Sequence, residues 1–196
     1  MNNIASVTLS TQHLELIAAT LDHICAEIDA PERLTSLLHA QVEPGWPPGE
    51  YDRDAQEFFR DRLQEGGKAA IGWYSWYAVQ RGTLNQRSVL VGAGGYFGPP
   101  NEIGEVEIGF SVMPTWQGLG YATEIARALI EYAFTDRRVN KVIAHTACGN
   151  VASCRVLEKC GFRSVGGDAQ SGNCLFEIRR TLTDNTTKIL GDTLQS

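Results

Sequence analysis

Apolar and polar residues alternate strictly over one stretch of the chain. From Glu105 to Met113, Val106, Ile108, Phe110 and Val112 fall on one face, and Glu105, Glu107, Gly109 and Ser111 on the other. A period of two predicts a strand with one buried face. Just downstream the period changes. Ala122, Ile125, Ala126, Leu129, Ile130 and Ala133 recur at helical spacing and form one face of an amphipathic helix. The same reading places a strand at Gln12 to Ala18 and helices within Leu21 to Ala40, with Pro31 starting the second. Prolines and a glycine force a loop from Val42 to Pro48.

A helix follows over Asp52 to Gln64, with Asp54 as its candidate cap and Gly66-Gly67 as its stop. Ile71 to Val79 and Ser88 to Ala93 read as strands joined by a turn. Beyond the central helix come a strand at Lys141 to Ala147 and a helix from Asn150 to about Cys160, ended by Gly161. Two last strands, Phe162 to Val165 and Leu175 to Arg180, flank a hairpin at Gly166 to Asn173. The succession predicts one α/β (α+β) domain over residues 12–180, a mixed sheet with helices packed on it. An N-terminal segment, 1–11, and a polar, Thr-rich tail, 181–196, flank it.

Composition narrows the function classes. The 196 residues suit one substantial core. Net charge is −6, and no basic stripe appears beyond the pairs Arg137-Arg138 and Arg179-Arg180, so no nucleic-acid partner is expected. No apolar stretch reaches the ~18 residues of a membrane span, and Met1 to Ser10 lacks the pattern of a signal peptide. A cytoplasmic location with no membrane partner is the expectation. The five cysteines, Cys25, Cys148, Cys154, Cys160 and Cys174, have no zinc-type spacing. They are expected to be reduced and mostly buried, with no metal.

The candidate chemistry lies between the alternating strand and the central helix. Pro114 stops the strand, and Gly118 and Gly120 let the backbone turn tightly before the helix begins. Unpaired N–H groups at a helix start bind phosphates well. A nucleotide P-loop is excluded because no Lys-Ser or Lys-Thr follows the glycines. A G-x-G-x-x-G loop is excluded because Thr123 stands at the third glycine position.

Gln117-x-x-Gly120-x-Ala122 resembles the Q/R-x-x-G-x-G/A signature of the GNAT superfamily of N-acetyltransferases, and Val112-Met113-Pro114 its V-x-P strand end. The run from Glu107 to Glu124 is most similar to the branch of ribosomal-protein N-terminal acetyltransferases. Asn150-x-x-Ser153 and the run Val156 to Phe162 resemble that branch's second signature. The resemblance spans about Gln12 to Arg180. It implies a mostly antiparallel sheet splayed between its fourth and fifth strands, Glu105 to Met113 and Lys141 to Ala147, with helices on both faces.

By that resemblance, acetyl-CoA is the cosubstrate and its pantetheine arm lies in the gap. Its pyrophosphate meets the amides of Gln117, Gly118, Leu119, Gly120, Tyr121 and Ala122. The Val112 amide polarises the thioester carbonyl, and Asn150 either holds the arm, caps its helix, or does both. Glu107 is the candidate base, or else a structural carboxylate; Glu105 shares its face and is second. The family's usual tyrosine acid is replaced by Leu157, so Ser153, a water or no acid serves the leaving thiolate. Trp46, Trp73, Trp76, Tyr77, Tyr96 and Phe97 are candidates to line an acceptor pocket.

The implied activity is transfer of acetyl to a primary amine by direct attack in a ternary complex. The acceptor is a small amine, a peptide or a protein N-terminus, and pairing of two copies stays open. The competing reading is a non-catalytic acyl-CoA-binding or sensing module on the same fold.

Overall fold

The computed structural model describes residues 7–49, 51–168 and 172–181. The first helices form where local chemistry starts and stops them. Thr20 caps α1 (Leu21–Asp29) through a reciprocal pair of hydrogen bonds with His23. Pro31 occupies the first turn of α2 (Pro31–Leu38), where its missing N–H costs nothing, and His39 at φ 49° ends it. The helix α3 (Arg53–Gly66) is capped by Asp52, whose carboxylate accepts from the Ala55 amide at 3.0 Å. The expected cap, Asp54, lies inside the first turn instead. It still suits the positive end of the helix.

The strands are β1 (Thr8–Ser10), β2 (Leu14–Ala18), β3 (Gln41–Val42), β4 (Ser75–Gln80), β5 (Val89–Tyr96), β6 (Glu105–Val112), β7 (Lys141–Ala147), β8 (Arg163–Asp168) and β9 (Asn173–Arg179). They form one sheet in the order β1-β2-β4-β5-β6-β7-β9-β8, with β3 beside β5. The β3–β5 and β6–β7 pairs are parallel and the others antiparallel. The expected fourth and fifth strands are thus β6 and β7. Two short strands, β1 and β3, fall where the pattern is too brief to read.

Several expected strand bounds shift; β8 runs on to Asp168 and β9 begins at Asn173, taking up part of the hairpin expected at Gly166 to Asn173. The aromatic run from Ile71 does not become extended until Ser75, because Gly72 at φ 90° turns the chain and Trp76 Nε1 donates back to its carbonyl at 3.1 Å. Conversely β5 continues past Ala93 through two glycines to Tyr96. A side chain at Gly94 would stand 2.7 Å from Ile125, so the helix packs directly on backbone there.

Helices cover both faces. On one, α4 (Tyr121–Thr135) and α5 (Val151–Lys159) bury Ile125, Leu129 and Leu157 against Leu16, Trp76, Ile108 and Val142. Each such apolar side chain contributes about 1.5–3 kcal/mol. On the other, α1 and α2 pack Ile24 and Leu34 over Tyr77, Val79 and Leu90. That second cover does not extend over β6 and β7, whose polar residues there stay half-exposed.

The cysteines depart from expectation. Cys148 and Cys174 form a disulfide, with Cα atoms 5.1 Å apart, because the end of β7 lies beside the start of antiparallel β9. Cys25, Cys154 and Cys160 are free thiols, each half-buried rather than buried. The tail predicted from Thr181 lies outside the described residues beyond that first position.

Candidate active site

The pairing of β6 with β7 stops at Glu107–Ile143. Beyond that rung β6 continues with β5 as far as Val112, and β7 continues with β9 as far as Ala147. The sheet therefore opens into a wedge. Met113 N donates to Val91 O at 2.9 Å, so Met113 faces β5. By antiparallel alternation the N–H and C=O of Val112 turn the other way, into the wedge.

At the wide end stands the glycine loop. A 3-10 turn at Pro114–Trp116 leads to Gly118 at φ 78° and Gly120 at φ 89°. A side chain at either glycine would meet nothing within 4 Å, so the backbone conformation, not space, calls for glycine. Gly120 is the N-cap of α4 and no side chain caps the helix. The amides of Tyr121 and Ala122 are thus left without intrahelical partners at the positive end of a 15-residue helix. Gln117 and Leu119 are exposed on the loop, and Gln117 Nε2 donates to Val112 O at 3.0 Å, closing it.

Two carboxylates brace this loop. Glu43 Oε2 accepts from Trp116 Nε1 at 3.0 Å and Thr115 Oγ1 at 3.2 Å. Glu124, in the first turn of α4, accepts from the His13 and Leu14 amides at 2.7 and 3.0 Å and from the Thr11 hydroxyl. Burial alone would raise its pKa, yet these hydrogen bonds together hold it below the usual carboxylate value.

On the far side of the wedge, Asn150 Oδ1 accepts from Ser153 N at 3.1 Å, so Asn150 caps α5. Ser153 is half-buried in that first turn. Leu157 is 1% exposed and belongs to the core, not to the wedge.

The polar face of β6 holds the ionisable groups. Glu105 pairs with Lys141 Nζ at 2.5 Å. Glu107 Oε1 lies 2.7 Å from His145 Nδ1, with both side chains partly exposed. His145 is absent from the residues singled out by sequence. Its signal was its place on β7 four residues after Lys141, on the same face.

The same face of β6 floors a cavity of about 330 Å³ lined by Tyr51, Ala55, Phe59, Phe97, Gly109 and Ser111, among others. Of the aromatic residues expected around an acceptor, Tyr96 and Phe97 border it, but the Tyr96 ring packs with Trp73 and Tyr132 and its hydroxyl donates to Leu129 O on α4. Trp73 and Trp76 instead pack against Tyr132 of α4, on the opposite face. Trp46 and Tyr77 lie behind the cavity around Glu27, which sequence reasoning missed. Glu27 accepts from Trp46 Nε1 at 2.5 Å, Tyr51 OH at 2.8 Å and Tyr77 OH at 2.7 Å. Burial raises the Glu27 pKa, and these donors offset only part of the rise. Burial also pushes both tyrosines well above their usual range, so they remain donors.

A sheet opened between two parallel strands, with an uncapped helix start at its mouth, is the architecture of an acyl-CoA-dependent transferase. The family model described as the acetyltransferase (GNAT) domain matches residues 18–163, and the chain belongs to that family of N-acetyltransferases. The uncharacterized N-acetyltransferase YjdG of Bacillus subtilis is 28% identical over 156 residues, 80% of this chain and 89% of its own length. Among solved structures, a ribosomal-protein-S5-alanine acetyltransferase from Vibrio fischeri superposes with a TM-score of 0.62 at 17% identity, covering 88% of this chain and 96% of its own. RimL, a ribosomal L7/L12 alpha-N-protein acetyltransferase solved with coenzyme A, gives 0.61 at 17% identity, covering 88% and 98%. At these identities the structural matches speak to the fold. Among the described residues, no helix is long and apolar enough to cross a membrane.

Proposed function

We propose that this chain moves the acetyl group of acetyl-CoA to a primary amine by direct attack within a ternary complex. The observation that carries the reading is the wedge between β6 and β7, with the uncapped α4 start at its mouth and the cavity on its polar face. The amides of residues 117–122 bind the pyrophosphate, the Asn150 side chain amide borders the pantetheine arm, and the Val112 N–H donates to the thioester oxygen. The amine nitrogen enters from the cavity and bonds to the carbonyl carbon; the carbon–sulfur bond breaks and the thiolate leaves.

The ammonium proton departs to Glu107. From Val112 to Glu107 is roughly 16 Å along an extended strand, so the proton travels through water. His145, hydrogen-bonded to Glu107, stands along that route and holds the carboxylate in place. Ser153 or a water protonates the thiolate, since Leu157 is sealed in the core.

Thiol release from acetyl-CoA with a panel of small amines and peptides, read together with product masses, tests the reading. Acetylated product with stoichiometric thiol supports it. Acetyl-CoA binding without thiol release for any amine would instead identify a non-catalytic acyl-CoA-binding module.

A further inference from the structure

We infer that the acceptor is a small arylalkylamine, bound with its ring in the cavity on the polar face of β6; this rests on the acetyl-transfer reading above. Three features of the cavity point the same way. First, its walls are rings. Tyr51 and Phe59 stand on one side, and on the other the Phe97 ring packs over Gly109, where a Cβ would meet it at 3.5 Å. The space between these aromatic walls is a slot for a flat ring, which gains from edge-on and offset ring contacts.

Second, among the described residues no ionised side chain lines the slot. The nearest buried carboxylate described above, Glu27, is screened by Tyr51 and is already engaged by Trp46, Tyr51 and Tyr77. A polyamine would bring further charges that the described walls of the slot do not pair, and burying an unpaired charge is strongly unfavourable. An arylalkylamine brings one. Apolar surroundings also lower the pKa of a single ammonium, favouring the neutral nucleophile that attack requires.

Third, the polar groups are few. The Tyr51 hydroxyl is spent, donating to Glu27 and accepting from Ser75 at 3.3 Å. Ser111 Oγ gives its proton to Pro48 O at 3.0 Å and keeps lone pairs to accept from an amine N–H. Ser111 is the residue before Val112, so an amine held there is next to the thioester end of the wedge. A peptide N-terminus would carry amides that these walls leave unpaired. The volume, about 330 Å³, sits at the small end of ligand pockets and suits one ring with a short arm.

The test compares 2-phenylethylamine, spermidine and a serine-led tetrapeptide by thiol release and by calorimetry on the CoA-saturated protein. The expected result is a kcat/KM for phenylethylamine at least 100-fold above either alternative. Ala55→Leu, which fills the slot, should raise its KM at least tenfold while the acetyl-CoA Kd holds. Phe97→Ala, at an exposed position, should raise KM likewise and covers the case in which Ala55→Leu fails to fold. Preference for the peptide or spermidine overturns the arylalkylamine assignment and leaves acetyl transfer standing. Phenylethylamine binding that both variants weaken, without thiol release, supports the slot and overturns the transfer reading. Absence of both binding and turnover of phenylethylamine overturns the inference.

Discussion

His145 Nδ1 lies 2.7 Å from Glu107 Oε1, at the point where β6 and β7 part. Glu107 is on the last rung shared by the two strands and His145 is two residues past it, so the contact spans the narrow end of the wedge. If Glu107 receives the amine proton, Glu107→Gln keeps the shape and removes the base. Turnover should fall by roughly 10²–10⁴-fold, the usual worth of general-base catalysis, with acetyl-CoA affinity unchanged. Raising the pH should partly restore the rate, since free amine then replaces assisted deprotonation. His145→Gln, which can still donate to the carboxylate, should lose less. Near-normal turnover of Glu107→Gln at neutral pH would show Glu107 to be structural.

The glycine loop makes a separate prediction. Gly120 caps α4 at φ 89°, a conformation side chains rarely adopt, in space where no neighbour obstructs one. Gly120→Val therefore acts on the backbone and on access to the first-turn amides, not on packing. The acetyl-CoA Kd should rise at least tenfold, about 1.4 kcal/mol, with the circular dichroism spectrum unchanged. Unaltered affinity in calorimetry would move the pyrophosphate away from this loop.

Leu157 stands where the sequence resemblance implies a tyrosine, yet its side chain is fully buried. Leu157→Tyr adds volume and a hydroxyl to a packed core. Overpacking of this kind costs about 1–3 kcal/mol. The melting temperature should drop by roughly 2–12 °C. A variant as stable as the parent, with a broadened alkaline limb in its rate profile, would mean that the position reaches the wedge after all.

Features local in the chain were legible in the sequence. The strict alternation of β6, the helical period of α4 and the glycines between them needed no tertiary knowledge, and neither did Asn150 as the cap of α5. The aromatic residues were harder, because composition does not say which face a strand presents. Trp76 and Tyr77 are neighbours on β4, and alternation sends one to α4 and the other to Glu27. The Glu27 cluster joins residues 27, 46, 51 and 77, and only the folded sheet brings them together. The Glu107–His145 contact likewise required knowing the register of a parallel pair 38 residues apart in sequence.

Two glutamates make opposite predictions for stability against pH. Burial raises the Glu27 pKa above the unfolded value of about 4.3. Its contribution to stability is complete below that value and is lost as pH rises through the folded pKa. Glu124 is held below the unfolded value by its hydrogen bonds from Thr11, His13 and Leu14, although burial opposes them. Its contribution is present above about 4.3 and is lost as pH falls through the folded pKa. Glu27→Gln should therefore flatten the decline of melting temperature on the rising side of that pH. It should also lower stability throughout, by about 1–3 kcal/mol, because an amide cannot accept at both ends and leaves one buried donor unpaired. Glu124→Gln should flatten the loss on the acid side only. Melting curves of the parent and both variants from below about pH 4 to neutral pH check the signs. Parallel curves for the parent and Glu27→Gln would show that this carboxyl does not change protonation with folding.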